Sequence, residues 1–185
     1  MSEYEGKLLV AHPGLEKKDF FYRSVIFIYQ DGPDGTLGLV LNKQSEISIK
    51  EVLYDKGILW PDGINRIYAG GPVNKSALIM IHTDEWQSTN THFIPNTTYG
   101  VSSDELMFMK MSDGNQPVYW KMTMGVAAWQ PGQLQLELNG KFPYKAENSW
   151  LLCDPNDATM FVYDGDELWV KATELASQQM INSFF

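Results

Sequence analysis

The residues able to carry chemistry are few and dispersed. Histidine occurs only at His12, His82 and His92. A zinc site wants ligands at recurring short spacings, and these three offer none, so we expect no metal and no cofactor. Ser102, Ser103, His82 and Asp104 supply the residue types of a nucleophilic triad, which requires a hydroxyl beside a base. Nothing in their spacing brings them together, and Ser102 with Glu105 fits a helix-capping pair instead. We therefore expect no catalytic residue, and more readily a protein that is not an enzyme. Cys153, the only cysteine, lies in an apolar run, where a free thiol is usually a small buried hydrophobe.

A ligand site has a different set of candidates: Arg23, Asn42, Gly70 and Gly71. Consecutive glycines can aim backbone N–H groups at an anion. They equally serve a turn that needs positive φ, and the spacing of a phosphate loop is absent. Arg23 opens one apolar strand and Asn42 closes another. If those strands pair, both residues stand near one sheet edge, where a guanidinium fork suits a carboxylate or phosphate. The competing reading is a structural bridge from Arg23 to an acid such as Asp19, with Asn42 in a turn. Trp86 lies in a polar stretch. It is read either as an exposed anchor for a partner or as loop packing.

These residues must be positioned by strands and short helices. Apolar runs over Lys7 to Ala11, Ser24 to Tyr29 and Thr36 to Leu41 read as strands. The second and third make a hairpin across a turn-rich connection, with Gly38 marking a close approach or bulge. Ser48 and Glu51 have capping-box spacing for a helix reaching about Lys56. Ile67 to Ala69 and Ala77 to Ile81 are further strands, while Thr83 to Gly100 shows no clear period. Val118 to Met124 alternates as a half-buried strand, with Tyr119, Lys121 and Thr123 on the second face. Pro131 suits the first turn of a helix through Leu138. Trp150 to Cys153 is a buried strand, and Asp166 to Leu175 a closing helix.

The 185 residues are 44% hydrophobic and carry a net charge of −9. Such a length suits one domain with a core of its own. The acidic balance disfavours nucleic acid, whose binding usually begins at a basic patch. A protein partner is the better expectation, and no apolar run is long enough to span a bilayer. The first residues lack a charged segment followed by an apolar one, so we expect a cytoplasmic protein. Strands and helices are interspersed without regular alternation, which predicts one α+β domain over residues 1–185 with a mixed, partly antiparallel sheet and a few short helices.

Ordered fragments of the chain resemble the YqgE/AlgH family of small bacterial proteins. They include Gly6-Lys7-Leu8-Leu9-Val10-Ala11-His12-Pro13-Gly14, Asp34-Gly35-Thr36-Leu37-Gly38, Gly70-Gly71-Pro72-Val73, the block from Trp129 to Leu138, and Asn148-Ser149-Trp150-Leu151. The resemblance implies a coiled, bifurcated sheet and no established reaction. One namesake is called a transcriptional regulator of alginate synthesis, although the family shows no DNA-reading motif. This chain departs from the pattern at Tyr29-Gln30-Asp31, where many relatives carry His with a nearby Cys, and Gly140 to Glu147 reads as an insertion. The reading that follows is a non-enzymatic binding or regulatory protein acting by protein contact. The alternative is a small-molecule-binding protein or enzyme with a pocket near Arg23, Asn42 and Gly70-Gly71.

Overall fold

Apolar runs without alternation become strands covered on both faces. In the computed structural model, which describes residues 2–61, 63, 66–140 and 149–185, the strand β1 (Leu8–Ala11) is buried at every position. It lies between β2 (Val25–Gly32) and β10 (Trp150–Cys153), antiparallel to both. The β2–β3 hairpin forms as expected, with β3 at Gly35–Val40, and its register slips between Ile28 and Gln30, beside Gly38.

The central strand is β9 (Trp120–Trp129), longer than its alternating segment. One of its edges is shared. Its end pairs with β3 through Ala127, Ala128 and Trp129. Its beginning pairs in parallel with β5 (Arg66–Ala69) through Thr123 and Met124. Here β5 wedges between β9 and β4 (Gln44–Ser48), a strand not legible in the sequence, so the sheet forks. The opposite edge of β9 carries β6 (Val73–Thr83), then β8 (Tyr99–Ser102) and β7 (His92–Phe93). The result is a mixed, mostly antiparallel ten-stranded sheet.

Gly70 and Gly71 owe their place to this fork. The chain must step from β5 on one edge of β9 to β6 on the other, passing over β9 at Gly125. A Cβ on Gly70 would stand 2.3 Å from the Gly125 carbonyl oxygen, and one on Gly71 only 2.1 Å from the Val126 carbonyl carbon. Gly125 itself has φ 86° and would strike Gly71. Glycine is demanded where two backbones cross this closely.

Helices cover both faces. The 18-residue α4 (Gly165–Asn182) runs well past Leu175 and buries Leu168, Ala172 and Ala176 against Leu8, Val10, Phe27, Ile79 and Ile81. The opposite face packs Leu9, Ile26, Val40 and Trp129 under α3 (Gln133–Leu138). The β6–β9 half is closed by α1 (Ile49–Tyr54) and α2 (Glu105–Ser112) around Met80, Trp86 and Met122. The capping box of Ser48 and Glu51 is formed.

Several expectations are corrected by this packing. Ser102 does not cap α2; it belongs to β8, and Asp104 takes the cap by accepting from the Met107 N–H. Pro131 precedes the left-handed Gly132 that caps α3, outside the first turn. The second face of β9 is not solvated, because Lys121 and Thr123 point into the α4 side of the core and are buried. Ala158–Val162 forms a π-helical turn ahead of α4. The insertion after Gly140 lies outside the described residues.

Candidate functional site

Lys121 is the least expected side chain in the core. In β9 it pairs with Ile81, and Thr123 pairs with Ile79 on one edge and Tyr68 on the other. Cross-strand partners share a face, so Lys121, Thr123 and Tyr68 all turn toward the same core. Lys121 is 5% exposed. Its Nζ donates to the Leu41 carbonyl at 2.9 Å, just beyond the end of β3, and lies 4.4 Å from the centroid of the Tyr68 ring. The Tyr68 hydroxyl donates to Asp164 Oδ2 at 2.9 Å, and the Gln44 amide donates to the same carboxylate. Asp164 is the N-cap of α4 and also accepts from the Gly165 N–H at 2.7 Å.

The electrostatics follow from this enclosure. Burial disfavours the charged amine and pulls Lys121 down to about 8, against the attraction of Asp164. Burial, then the bond to Asp164, pushes the Tyr68 phenol up to about 12, so it stays a donor. A lysine in this state has a substantial neutral fraction near pH 7 and can act as a base or nucleophile.

The residues singled out in the sequence surround this cluster without opening a pocket among themselves. Asn42 Oδ1 accepts from the Val25 N–H at 2.9 Å, and Nδ2 donates to the carbonyls of Arg23 at 2.8 Å and Gly165 at 3.0 Å. It ties the start of β2 to the end of β3 and the start of α4. Arg23 does make a structural bridge, but to Asp166 at 2.9 Å instead of Asp19, and its guanidinium stacks on Trp169 and Tyr22. The Gly70 N–H donates to the Met124 carbonyl, which is backbone pairing and not an open anion nest. Trp86 is not an exposed anchor: it is 7% exposed, and its indole N–H meets Asn115 at 3.1 Å. Sequence reasoning passed over Lys121, Tyr68 and Asp164. The usable signal was the small-residue run Gly125-Val126-Ala127, which marks a central strand covered on both faces there.

The triad types are partly assembled. His82 Nε2 meets Ser102 Oγ at 2.8 Å, and His82 Nδ1 meets the Thr83 carbonyl at 2.9 Å. Ser102 Oγ also meets Thr91 Oγ1 at 2.6 Å, which accepts from the Ser88 N–H at 2.7 Å. Asp104 takes no part in orienting the imidazole; its carboxylate accepts from Ser88, Asn90 and Met107. His82 and Ser102 are both sealed from solvent, so the pair is a buried strut. His92 faces Glu5, and the His12 ring accepts from the Gly14 N–H. Among the described residues no group of His, Cys, Asp and Glu could hold a metal. Burial, then Asp154, pushes the Cys153 thiol up to about 12 and leaves it inert. An open cleft of about 360 Å³ lies away from this chemistry, between Ser2–Tyr4, Asp31–Pro33 and Gly132–Gln135. Of the two acidic residues lining it, Asp31 is already engaged by the Ser2 and Thr36 hydroxyls and the Glu3 and Tyr4 N–H groups. Among the described residues no helix is long and apolar enough to cross a membrane.

A single α+β domain with a curled sheet forked at its central strand defines the class of this protein. Residues 8–181 match the family model described as AlgH-like, and the chain belongs to that family. It is 28% identical over 184 residues to a UPF0301 protein of Mannheimia succiniciproducens, covering 97% of this chain and 95% of that one. A UPF0301 protein of Sinorhizobium medicae is 29% identical over 180 residues, covering 92% and 85%. The solution structure of the AlgH protein from Pseudomonas aeruginosa superposes with a TM-score of 0.75 at 23% identity, covering 95% of this chain and 90% of that chain. A crystal structure from Corynebacterium diphtheriae gives 0.69 at 20% identity, covering 93% and 86%. At those identities the likeness establishes the fold.

Proposed function

We propose that this protein works by contact with another protein, as a regulatory component of the cytoplasm, and not by catalysis. One observation carries the reading. Lys121, His82 and Ser102 are buried, while exposed apolar residues flank a stacked aromatic pair at the surface. Tyr119 and Phe161 stack at 5.8 Å with nearly parallel rings. Their neighbours Val118 and Val162 are 72% and 62% exposed. The stacked pair joins the residue just before β9 to the π-helical turn, and such a turn often sits at a functional position. Exposed apolar and aromatic groups gathered in this way mark contact surfaces. The charge of −9 favours protein over nucleic acid as the partner.

The test is affinity capture from the source cell with quantitative mass spectrometry, comparing the wild type with a Val118→Asp/Val162→Asp variant of equal thermal stability. A partner enriched on the wild type and lost from the variant is the expected result. Absence of enrichment at several salt concentrations, or equal capture by both proteins, overturns the reading. Salt-sensitive retention of duplex DNA by both proteins would replace it with nucleic-acid binding.

The reading of a small-molecule-binding protein or enzyme keeps one observation in its favour, the Lys121 cluster. Its centre lies at Lys121, Tyr68 and Asp164, a short step from the Arg23, Asn42 and Gly70-Gly71 set.

A further inference from the structure

Lys121 breaks the rule that a buried charge is paired and fully hydrogen-bonded. An ammonium carries three donors. Among the described residues its hydrogen-bond acceptor is the Leu41 carbonyl, and its other close neighbour is the face of Tyr68. Asp164 does not ion-pair with it at contact distance; that carboxylate is engaged by Tyr68, Gln44 and the Gly165 N–H. The amine stands at the fork, where β5 lies between β4 and β9. Tyr68 is partly exposed, and its ring centroid lies 4.4 Å from the amine. Structural lysines are usually exposed or paired; one kept buried beside a tyrosine ring and the Leu41 carbonyl has the setting of an amine nucleophile.

We infer that Lys121 is a reactive amine site that takes a small aldehyde or ketone as an imine when the Tyr68 ring moves aside. The ammonium form first releases a proton to solvent. The neutral nitrogen then attacks the carbonyl carbon, a carbon–nitrogen double bond replaces the carbon–oxygen bond, and both amine hydrogens leave with the oxygen as water. No oxidant or reductant is needed. The lowered proton affinity of the buried amine supports this, because it populates the attacking form near neutrality. The inference goes beyond partner binding and stands or falls separately from it.

Formaldehyde is the smallest carbonyl probe, and cyanoborohydride supplies the hydride that traps its imine as a methylamine. The full chain is treated briefly at pH 7, and methylation is read lysine by lysine from peptides. Lys121 is expected to react at least about tenfold faster than Lys17 and Lys18, since burial leaves it a far larger neutral fraction at pH 7 than an ordinary lysine has. The Lys121 rate is expected to rise from about pH 6 to about pH 8 and to level off above it, as the buried amine loses its proton. A Tyr68→Ala variant that keeps its fold is expected to raise the Lys121 rate further. Wild-type labelling of Lys121 no faster than that of Lys17 and Lys18 overturns the inference, whatever the variant does.

Discussion

Lys121 and His82 occupy adjacent strands on opposite faces of one sheet: Ile81 pairs with Lys121, and His82 with Trp120. Both are buried, and burial lowers the proton affinity of each. They differ in how completely their polar atoms are met. His82 has both ring nitrogens bonded, and its chain through Ser102 and Thr91 to Ser88 runs in one direction. With Nδ1–H donating to the Thr83 carbonyl and Nε2 accepting from Ser102, the neutral tautomer fits without residue. Lys121 has three donors against one carbonyl and a ring face. The lesson is that equal burial does not mean equal purpose: a saturated group holds the fold, and an unsaturated one costs stability and stays available.

Substitutions should separate the two by sign. The largest effect is expected from His82→Ala, which leaves a cavity and strands Ser102 and the Thr83 carbonyl. A loss of about 4 kcal/mol in urea unfolding is expected from those combined causes. A loss under about 1 kcal/mol would dismantle the contrast.

Lys121→Met should act in the opposite direction. Lowering the lysine from 10.5 to about 8 corresponds to about 3 kcal/mol of destabilisation at pH 7. Orphaning the Leu41 carbonyl returns about 1 kcal/mol, so a net gain of about 2 kcal/mol is expected. The pH dependence has a definite sign. The folded value lies below the unfolded one, so the unfolded chain binds more protons between about 8 and 10.5. Wild-type stability should therefore rise across that window, and the Met variant should lack the rise. A destabilised Met variant would recast Lys121 as a strut like His82.

Thr91→Val removes one link of the His82 chain and leaves the Ser88 N–H unmet. It should cost about 1 kcal/mol without altering the fold, measured by thermal unfolding. The smallest effect is an acid limb. His82 is held below its ordinary 6.5 by burial, against Thr83, Glu85 and Asp84. Its contribution should be present above that value and fade as pH falls through the folded value, with a slope of at most about 1.4 kcal/mol per pH unit. Hydrogen exchange of β7 and β8 should accelerate in the same range, and a His82→Gln variant should lose that part of the response.

Legibility tracked whether a signal was local. The β2–β3 hairpin and the Ser48–Glu51 capping box are written in neighbouring residues and formed as expected. Ser102 and Glu105 had the same capping spacing, yet β8 claimed Ser102 through its register with Met80 and its bond to His82, and Asp104 capped instead. The short strands β4 and β7 owe their existence to distant partners and left little mark on the chain. Of the candidate site, Arg23 and Asn42 were found near one another, tied by the Arg23 carbonyl. Trp86 was read either as an exposed anchor or as loop packing, and α2 with the Asn115 turn closes over it in favour of the second.

The sequence by itself determined the strand-rich α+β class, the family resemblance and the acidic net charge, since composition, local period and turn chemistry are properties of short segments. Only the tertiary structure decided that Lys121 is buried. Alternation along β9 marked a second face, but β5 and α4, recruited from both sides of the chain, turned that face from solvent into core.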